Sequence, residues 1–355
     1  MSVDAGELWR SVTAIVDVPA LWEQFWVRPV GVGLLYWRGI LAYSVVGLAF
    51  YALVAGRGTP RSLSAGVRYI FPASLAAHRS FWIDLKFLLL DVLGIRRQFM
   101  VGVSLVLGVT VYAGWLQQLA LYSRPGFATL SAAVLGLPTP AQMVIAFVLA
   151  MLGGELGFYA IHRASHQVPL LWQFHKVHHY SQQLNPAVIT RLHPVDDALQ
   201  TQVGFLGSLL FTSVVFPSDI DALSFSAQSG GVVAFMLLKS FTSKLTHSHI
   251  PVSFGPVLDR IVVSPVMHQM HHSRDIFDTN YGNVLTLWDT IFGTLYRPPR
   301  DAPIRFGIRE FDDNHYRGIL HCTIEPFLEA ARLLREGRAF RRPPVPADAI
   351  APTRR

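Results

Sequence analysis

The chain has 355 residues, 51% of them hydrophobic and only 15% charged, with a mean hydropathy of +0.36. That is too apolar for an ordinary soluble domain and points to a chain that sits in a bilayer. The formal net charge of +7 does not call for nucleic acid, because the basic residues are scattered over loops and the C-terminal end, where cytoplasmic placement and anionic lipid account for them.

In chain order, Met1–Val30 is mixed in charge and interrupted by prolines, so it reads as an N-terminal segment (1–30) without a signal peptide. Apolar runs follow near 31–56, 99–122, 138–160, 198–216 and 221–240, each close to the roughly 20 residues that a helix needs to cross the hydrocarbon core. Five crossings are expected. Ser80–Ile95 is shorter and carries Asp84, Lys86 and Asp91, which suits an interfacial helix. Between the first two runs lie Arg57, Arg61, Arg68, Arg79, Lys86, Arg96 and Arg97, against Arg124 alone in 123–137 and no basic residue in Pro217–Asp221. The basic side is the cytoplasm, which puts the N-terminus outside and the Arg-rich end (Arg341, Arg342, Arg354, Arg355) inside.

Eleven of the fourteen histidines fall in or near three clusters: His162-x-x-x-His166, His175-x-x-His178-His179 and His268-x-x-His271-His272, with His193, His247 and His249 between them. Residues three and four apart share a helix face, so each cluster can aim several ring nitrogens at one point. Eight imidazoles from the clusters alone exceed the three or four ligands of one zinc site, and two metals sharing the set is the natural reading. The runs 198–216 and 221–240, crossing out and back as a hairpin (198–240), return His247 and the last cluster to the face that holds the first two. His78, His315 and His321 stand apart and read as structural. The single cysteine, Cys322, excludes an intramolecular disulfide and argues against thiolate ligation.

Neutral imidazole suits zinc, copper, nickel and iron, but five or six ligands per metal, counting water or a carboxylate, fit iron better than tetrahedral zinc. Arg163 stands where an H-E-x-x-H protease would place its glutamate, which disfavours that class. A metal transporter would place its ligands near the bilayer midplane, whereas these flank the apolar runs.

The segments Glu155-Leu-Gly-Phe-Tyr-Ala-Ile-His162-Arg163-Ala-Ser-His166, His175-Lys-Val-His178-His179 and His268-Gln-Met-His271-His272-Ser-Arg274 closely resemble the histidine boxes of the fatty acid hydroxylase/sterol desaturase superfamily of membrane di-iron oxygenases. Asn280-Tyr281-Gly282, Leu287-Trp288-Asp289 and Ile291-Phe292-Gly293-Thr294 resemble the segment after the last box. The likeness covers about residues 145–300. It implies an all-α fold: a multi-pass transmembrane helical bundle with a cytoplasmic helical cap holding a His-rich dimetal site. N-terminal transmembrane and interfacial helices would occupy 31–144, the histidine-box catalytic domain 145–300 and a cytoplasmic tail 301–355.

The resemblance implies as metal ligands His162, His166, His175, His178, His179, His268, His271 and His272, with His247 as the isolated ligand before the last box. His249 is a further candidate, although i and i+2 point apart on a regular helix; the alternative is a surface or supporting residue. His193 is expected to support the site rather than ligate. Glu155, two helical turns before His162 and on the same face, is read as an acceptor that orients an imidazole, with an ion pair to another helix as the alternative; Asp196, and with it Asp197 and Asp289, are candidates for the same work.

The implied cofactors are two iron ions, with O2 as co-substrate. The implied reaction converts an unactivated C–H bond of a lipid, such as a sterol or fatty acyl chain, to an alcohol, or removes a second hydrogen to leave a double bond. The chain has no Gly-x-Gly-x-x-Gly after a strand to bind a nicotinamide or flavin, so electrons from NAD(P)H are expected through a separate carrier and reductase. The Ala/Arg-rich composition points to a bacterial inner membrane, with the active site on the cytoplasmic face. Two other readings stay open: a zinc-dependent membrane hydrolase and an inactive metal-binding membrane scaffold.

Overall fold

Proline marks where most of the helices begin, because at the first turn its missing N–H would have had no intrahelical partner. A computed structural model describes residues 44–45, 47–49, 51–52, 62–93, 95, 123–216, 246–297, 304–311 and 315–342. Within them the main helices are α1 (Leu63–Ile70), α2 (Arg79–Val92), α3 (Pro125–Leu135), α4 (Thr139–Gln167), α5 (Pro169–His179), α6 (Pro194–Thr212), α7 (Pro265–His271) and α8 (Ile319–Arg335). Each of α3 to α7 has proline in its first two positions. Among the described residues no strand forms, and the only β contacts are the isolated bridges Val262–Leu285 and Ser273–Phe306.

The expected run 138–160 falls on α4 and its N-cap Pro138, and among the described residues α4 is the one helix long and apolar enough to cross a membrane. The run 198–216 supplies most of α6. The runs 99–122 and 221–240, most of 31–56, the turn Pro217–Asp221, and Arg57, Arg61, Arg96, Arg97, Arg354 and Arg355 fall outside the described residues. In α2, Asp84 and Asp91 are buried while Trp82 and Leu89 are exposed. Asp84 turns inward because it pairs with Arg191 (Nε–Oδ1 2.7 Å), both fully buried, and accepts from Asn185 Nδ2 at 2.9 Å.

α4 and α6 run antiparallel with their backbones almost touching. A Cβ placed on Gly153 would meet the Gly207 carbonyl carbon at 2.7 Å, and one on Gly157 would meet that of Val203 at 2.9 Å; Ser208 Oγ donates to the Ala150 carbonyl at 2.8 Å. Small residues at a helix crossing permit this approach. Because the helices are antiparallel, the first turn of α6 is delivered beside the last turns of α4. A Leu at Gly157 has no space without parting the helices, and Gly157→Leu is expected to cost at least about 3 kcal/mol. Gly126→Ala, where nothing lies within 4 Å, should be near neutral. Thermal unfolding of the two detergent-solubilised variants checks the contrast.

On the other side of α5, Ile83 and Phe87 of α2, Val177 and Tyr180, and Tyr316 and Cys322 form one buried cluster. It fixes α5 between α2 and α8. Burial pushes the Cys322 thiol up to about 12, as expected of a cysteine that packs rather than reacts.

Candidate metal centre

The turn at Val168–Pro169 brings the first two clusters face to face. Proline disfavours helical backbone at the residue before it, and Val168 is extended (φ −98°, ψ 113°), so α4 ends just after His166 and α5 folds back with its own three histidines. α7 presents the third cluster, starting at Pro265 and ending with His272 as its C-cap.

The histidines separate into two groups, each with ligand nitrogens within 4.8 Å of one another: His162, His166, His175, His179 and His271 in one, and His178, His247, His268 and His272 in the other. Helix geometry accounts for the partition. At 3.6 residues per turn, positions i and i+4 differ by about 40° around the axis while i+3 and i+4 differ by about 100°. The outer pair of each His-x-x-His-His therefore shares one group and the middle histidine turns to the other. α5 and α7 do this reciprocally: His175 and His179 join His271, while His268 and His272 join His178. The groups are adjacent, with the His179 and His272 rings stacked at 4.3 Å across the boundary.

Within the groups Nε2 faces Nε2: His175 lies 3.0 Å from both His166 and His179, His247 3.0 Å from His178 and 2.9 Å from His268, and His268 3.1 Å from His272. Hydrogen bonding cannot satisfy all of these. His175 Nδ1 donates to Asp196 Oδ2 at 3.0 Å, His162 Nδ1 to the Tyr281 carbonyl at 2.8 Å and His271 Nδ1 to the Thr279 carbonyl at 2.9 Å. In the neutral ring the proton on Nδ1 leaves Nε2 a bare lone pair, and the buried His271 Nε2 has no hydrogen-bond partner among the described residues. Converging lone pairs need a cation, and the donor set fits two metal ions.

Charge points the same way. Burial first, and then the neighbouring imidazoles, hold His178, His179, His268 and His272 well below the ordinary histidine range, and burial lowers His271 to about 3. The rings are neutral at physiological pH, the form that ligates metal.

Asp196 is buried in the first turn of α6 and is itself gripped by Gln200 Nε2 at 3.0 Å from each of its oxygens. Glu155 acts at one remove. Its Oε2 accepts from the backbone amides of Asn283, Val284 and Leu285 at 3.3, 2.8 and 3.0 Å, and it is the Tyr281 carbonyl in the preceding turn that faces His162. Asp289 works on the same loop, accepting from the Tyr281 and Gly282 amides at 2.8 and 2.7 Å and from Thr294 Oγ1 at 2.6 Å. Asn280, left-handed at φ 54°, clamps the loop by donating to the Met267 and Tyr296 carbonyls.

His193 lies outside both groups: its Nδ1 accepts from the Val195 amide as the cap of α6, and its Nε2 donates to the Thr323 carbonyl. It steadies the helix that carries Asp196. His249 also lies outside them, its Nε2 against the Tyr69 carbonyl at 2.8 Å, on a bend rather than a helix. His315 pairs with Glu325 at 2.7 Å. Trp172, Gln200, Tyr281 and Thr279 were not singled out as supporting residues from the sequence; of these, only Tyr281 lay in a motif, Asn280-Tyr281-Gly282, that marked its segment.

A cavity of about 560 Å³ adjoins the centre, with His166, His179 and Trp172 in its wall.

Residues 147–294 match the fatty acid hydroxylase family. The chain is similar to the ornithine lipid hydroxylase OlsE of Rhizobium tropici, 32% identical over 197 residues covering 54% of each chain. It is also similar to the alkylglycerol monooxygenase of Danio rerio, 32% identical over 158 residues, 44% of this chain and 31% of the relative. A fatty acid hydroxylase of a Lecanicillium species is 28% identical over 145 residues, 39% and 38% of the two chains. The chain thus spans about half or less of the length of these relatives. No solved structure matches it.

Proposed function

Residues 147–294 belong to the fatty acid hydroxylase family, and from that premise we propose that the protein is an integral-membrane di-iron oxygenase that hydroxylates, or desaturates, an unactivated C–H bond of a lipid. The observation that carries the choice of iron is the ligand count. The histidines gather in groups of five and four, and a tetrahedral zinc site is filled by four ligands. Five imidazoles at one position, with room for water or O2 still required, support the higher coordination number that iron takes and disfavour the zinc hydrolase. The intact set of nine histidines disfavours the inactive scaffold.

When bound, two irons supply reductive activation of O2: hydroxylation consumes the lipid C–H, one O2, two electrons and two protons and yields the alcohol and one water. The chain's own residues hold the imidazoles in one tautomer. Asp196 accepts a hydrogen bond from the Nδ1–H of His175, and the Tyr281 and Thr279 carbonyls accept those of His162 and His271, which keeps the proton on Nδ1, leaves each Nε2 free to ligate and fixes the ring's direction. Trp172, Ile276 and Ile308 line the neighbouring cavity and provide an apolar wall for hydrocarbon. Electrons arrive from NAD(P)H through a separate carrier and reductase that dock on the cytoplasmic face, of a bacterial inner membrane on this reading, and the centre faces that side.

Purified protein with NAD(P)H and O2 alone is expected to be inactive. With a redox carrier and its reductase added, lipid product should carry oxygen-18 from labelled O2. Label arriving only from water would favour hydrolysis. A new double bond without label would keep the centre and make the product an alkene.

A further inference from the structure

The cavity beside His166 and His179 is lined by five arginines, Arg274, Arg309, Arg338, Arg341 and Arg342, against the carboxylates of Asp278 and Glu310. Three of the five are engaged: Arg309 by Asp275 at 3.1 Å, Arg338 by Glu336 at 3.1 Å and Arg342 by Asp278. Arg274 and Arg341 have no acidic partner among the described residues. Arg274 is half-buried and immediately follows the last histidine cluster, and Arg341 is exposed beyond the end of α8. Unpaired guanidinium groups at the edge of a concave site are suited to a carboxylate or phosphate.

The same cavity also has an apolar lining, with Trp172, Ile276, Phe277, Ile308 and Leu333. A volume of about 560 Å³ lies in the range of small-ligand sites, roughly 300–1,000 Å³. The cavity therefore offers apolar side chains to hydrocarbon and guanidinium groups to an anion, and it is lined by His166 and His179 of the centre. We propose that this cavity receives the anionic polar end of an amphiphilic lipid, so that the bond attacked lies near the headgroup rather than at the far end of a chain. The concavity favours a small molecule over an acidic redox carrier, which needs a broad exposed face. The inference rests on the lipid-oxygenase reading for its substrate, but it is tested by binding without turnover, so either can fail while the other stands.

The test uses the full chain in neutral detergent micelles and measures affinity by calorimetry for dodecyl phosphate, dodecanol and inorganic phosphate. Dodecyl phosphate is expected to bind at least about tenfold more tightly than dodecanol, as charge-assisted hydrogen bonds allow, and inorganic phosphate to bind far more weakly. The double variant Arg274→Gln/Arg341→Gln should lose the preference while keeping its metal content. Arg341→Gln alone, at an exposed position, should reduce it, and Arg335→Gln on the outside of α8 should leave it intact. Equal affinities in the unmodified protein, or a preference that survives the double variant, would overturn the proposal. So would inorganic phosphate binding as tightly as the alkyl phosphate, which would mark a free-anion site. A double variant that binds dodecyl phosphate normally but needs more redox carrier would assign the arginines to the carrier instead.

Discussion

Replacing His271 with Ala is expected to empty one metal position and leave the other largely filled, and His268→Ala to do the reverse. The reason is the partition of the histidines into groups of five and four. His271 sits on α7 but belongs with the histidines of α4 and α5, and His268 belongs with His178 and His247. Removing a ligand should weaken metal binding by more than the roughly 10- to 100-fold that loss of a ligand's hydrogen-bond partner costs. Lipid oxidation should fall to background in both variants, because two-metal chemistry needs both positions. Metal content per chain, measured with activity, checks this. His315→Ala, at a residue paired with Glu325 away from the centre, should keep both metals. Variants of His271 and His268 that lose both metals together, or neither, would contradict two adjacent positions.

Glu155→Ala is expected to have the largest effect on stability of any supporting residue. It would leave the amides of Asn283, Val284 and Leu285 buried without their acceptor, each such donor costing about 1–3 kcal/mol, and a total of roughly 3–5 kcal/mol is expected. The damage reaches the metal through the loop, since Tyr281 loses its fixed place and His162 its acceptor. Glu155→Gln keeps an oxygen in the same position and should lose far less. Thermal unfolding and metal content of the two variants measure the difference; equal losses would contradict the role as an acceptor for the loop.

The three clusters were legible because ligand chemistry restricts residue type and helix geometry restricts spacing. His162 and His166, or His175 and His179, announce a shared face without knowledge of the rest of the fold. Which histidine joins which group is a tertiary property. Local spacing turns His271 away from His268 and His272, but that it meets the histidines of α4 and α5 depends on α7 meeting α5 almost a hundred residues later in the chain. Glu155 shows a similar limit: its burial in an apolar run was readable, but its partners lie 128 to 130 residues away and are backbone amides, which have no residue type to recognise. Gly153-x-x-x-Gly157 was present as a small-residue pattern, but its significance appears only beside Gly207 on the opposing helix. In α2 the charges marked an interfacial helix, but that Asp84 is buried against Arg191 depends on a partner more than a hundred residues away.

The central claim is that nine histidines hold two irons, and quantifying metal in the full chain purified without oxygen tests it most directly. The account predicts two irons per chain and little zinc; zinc without iron, or a single metal per chain, would contradict it.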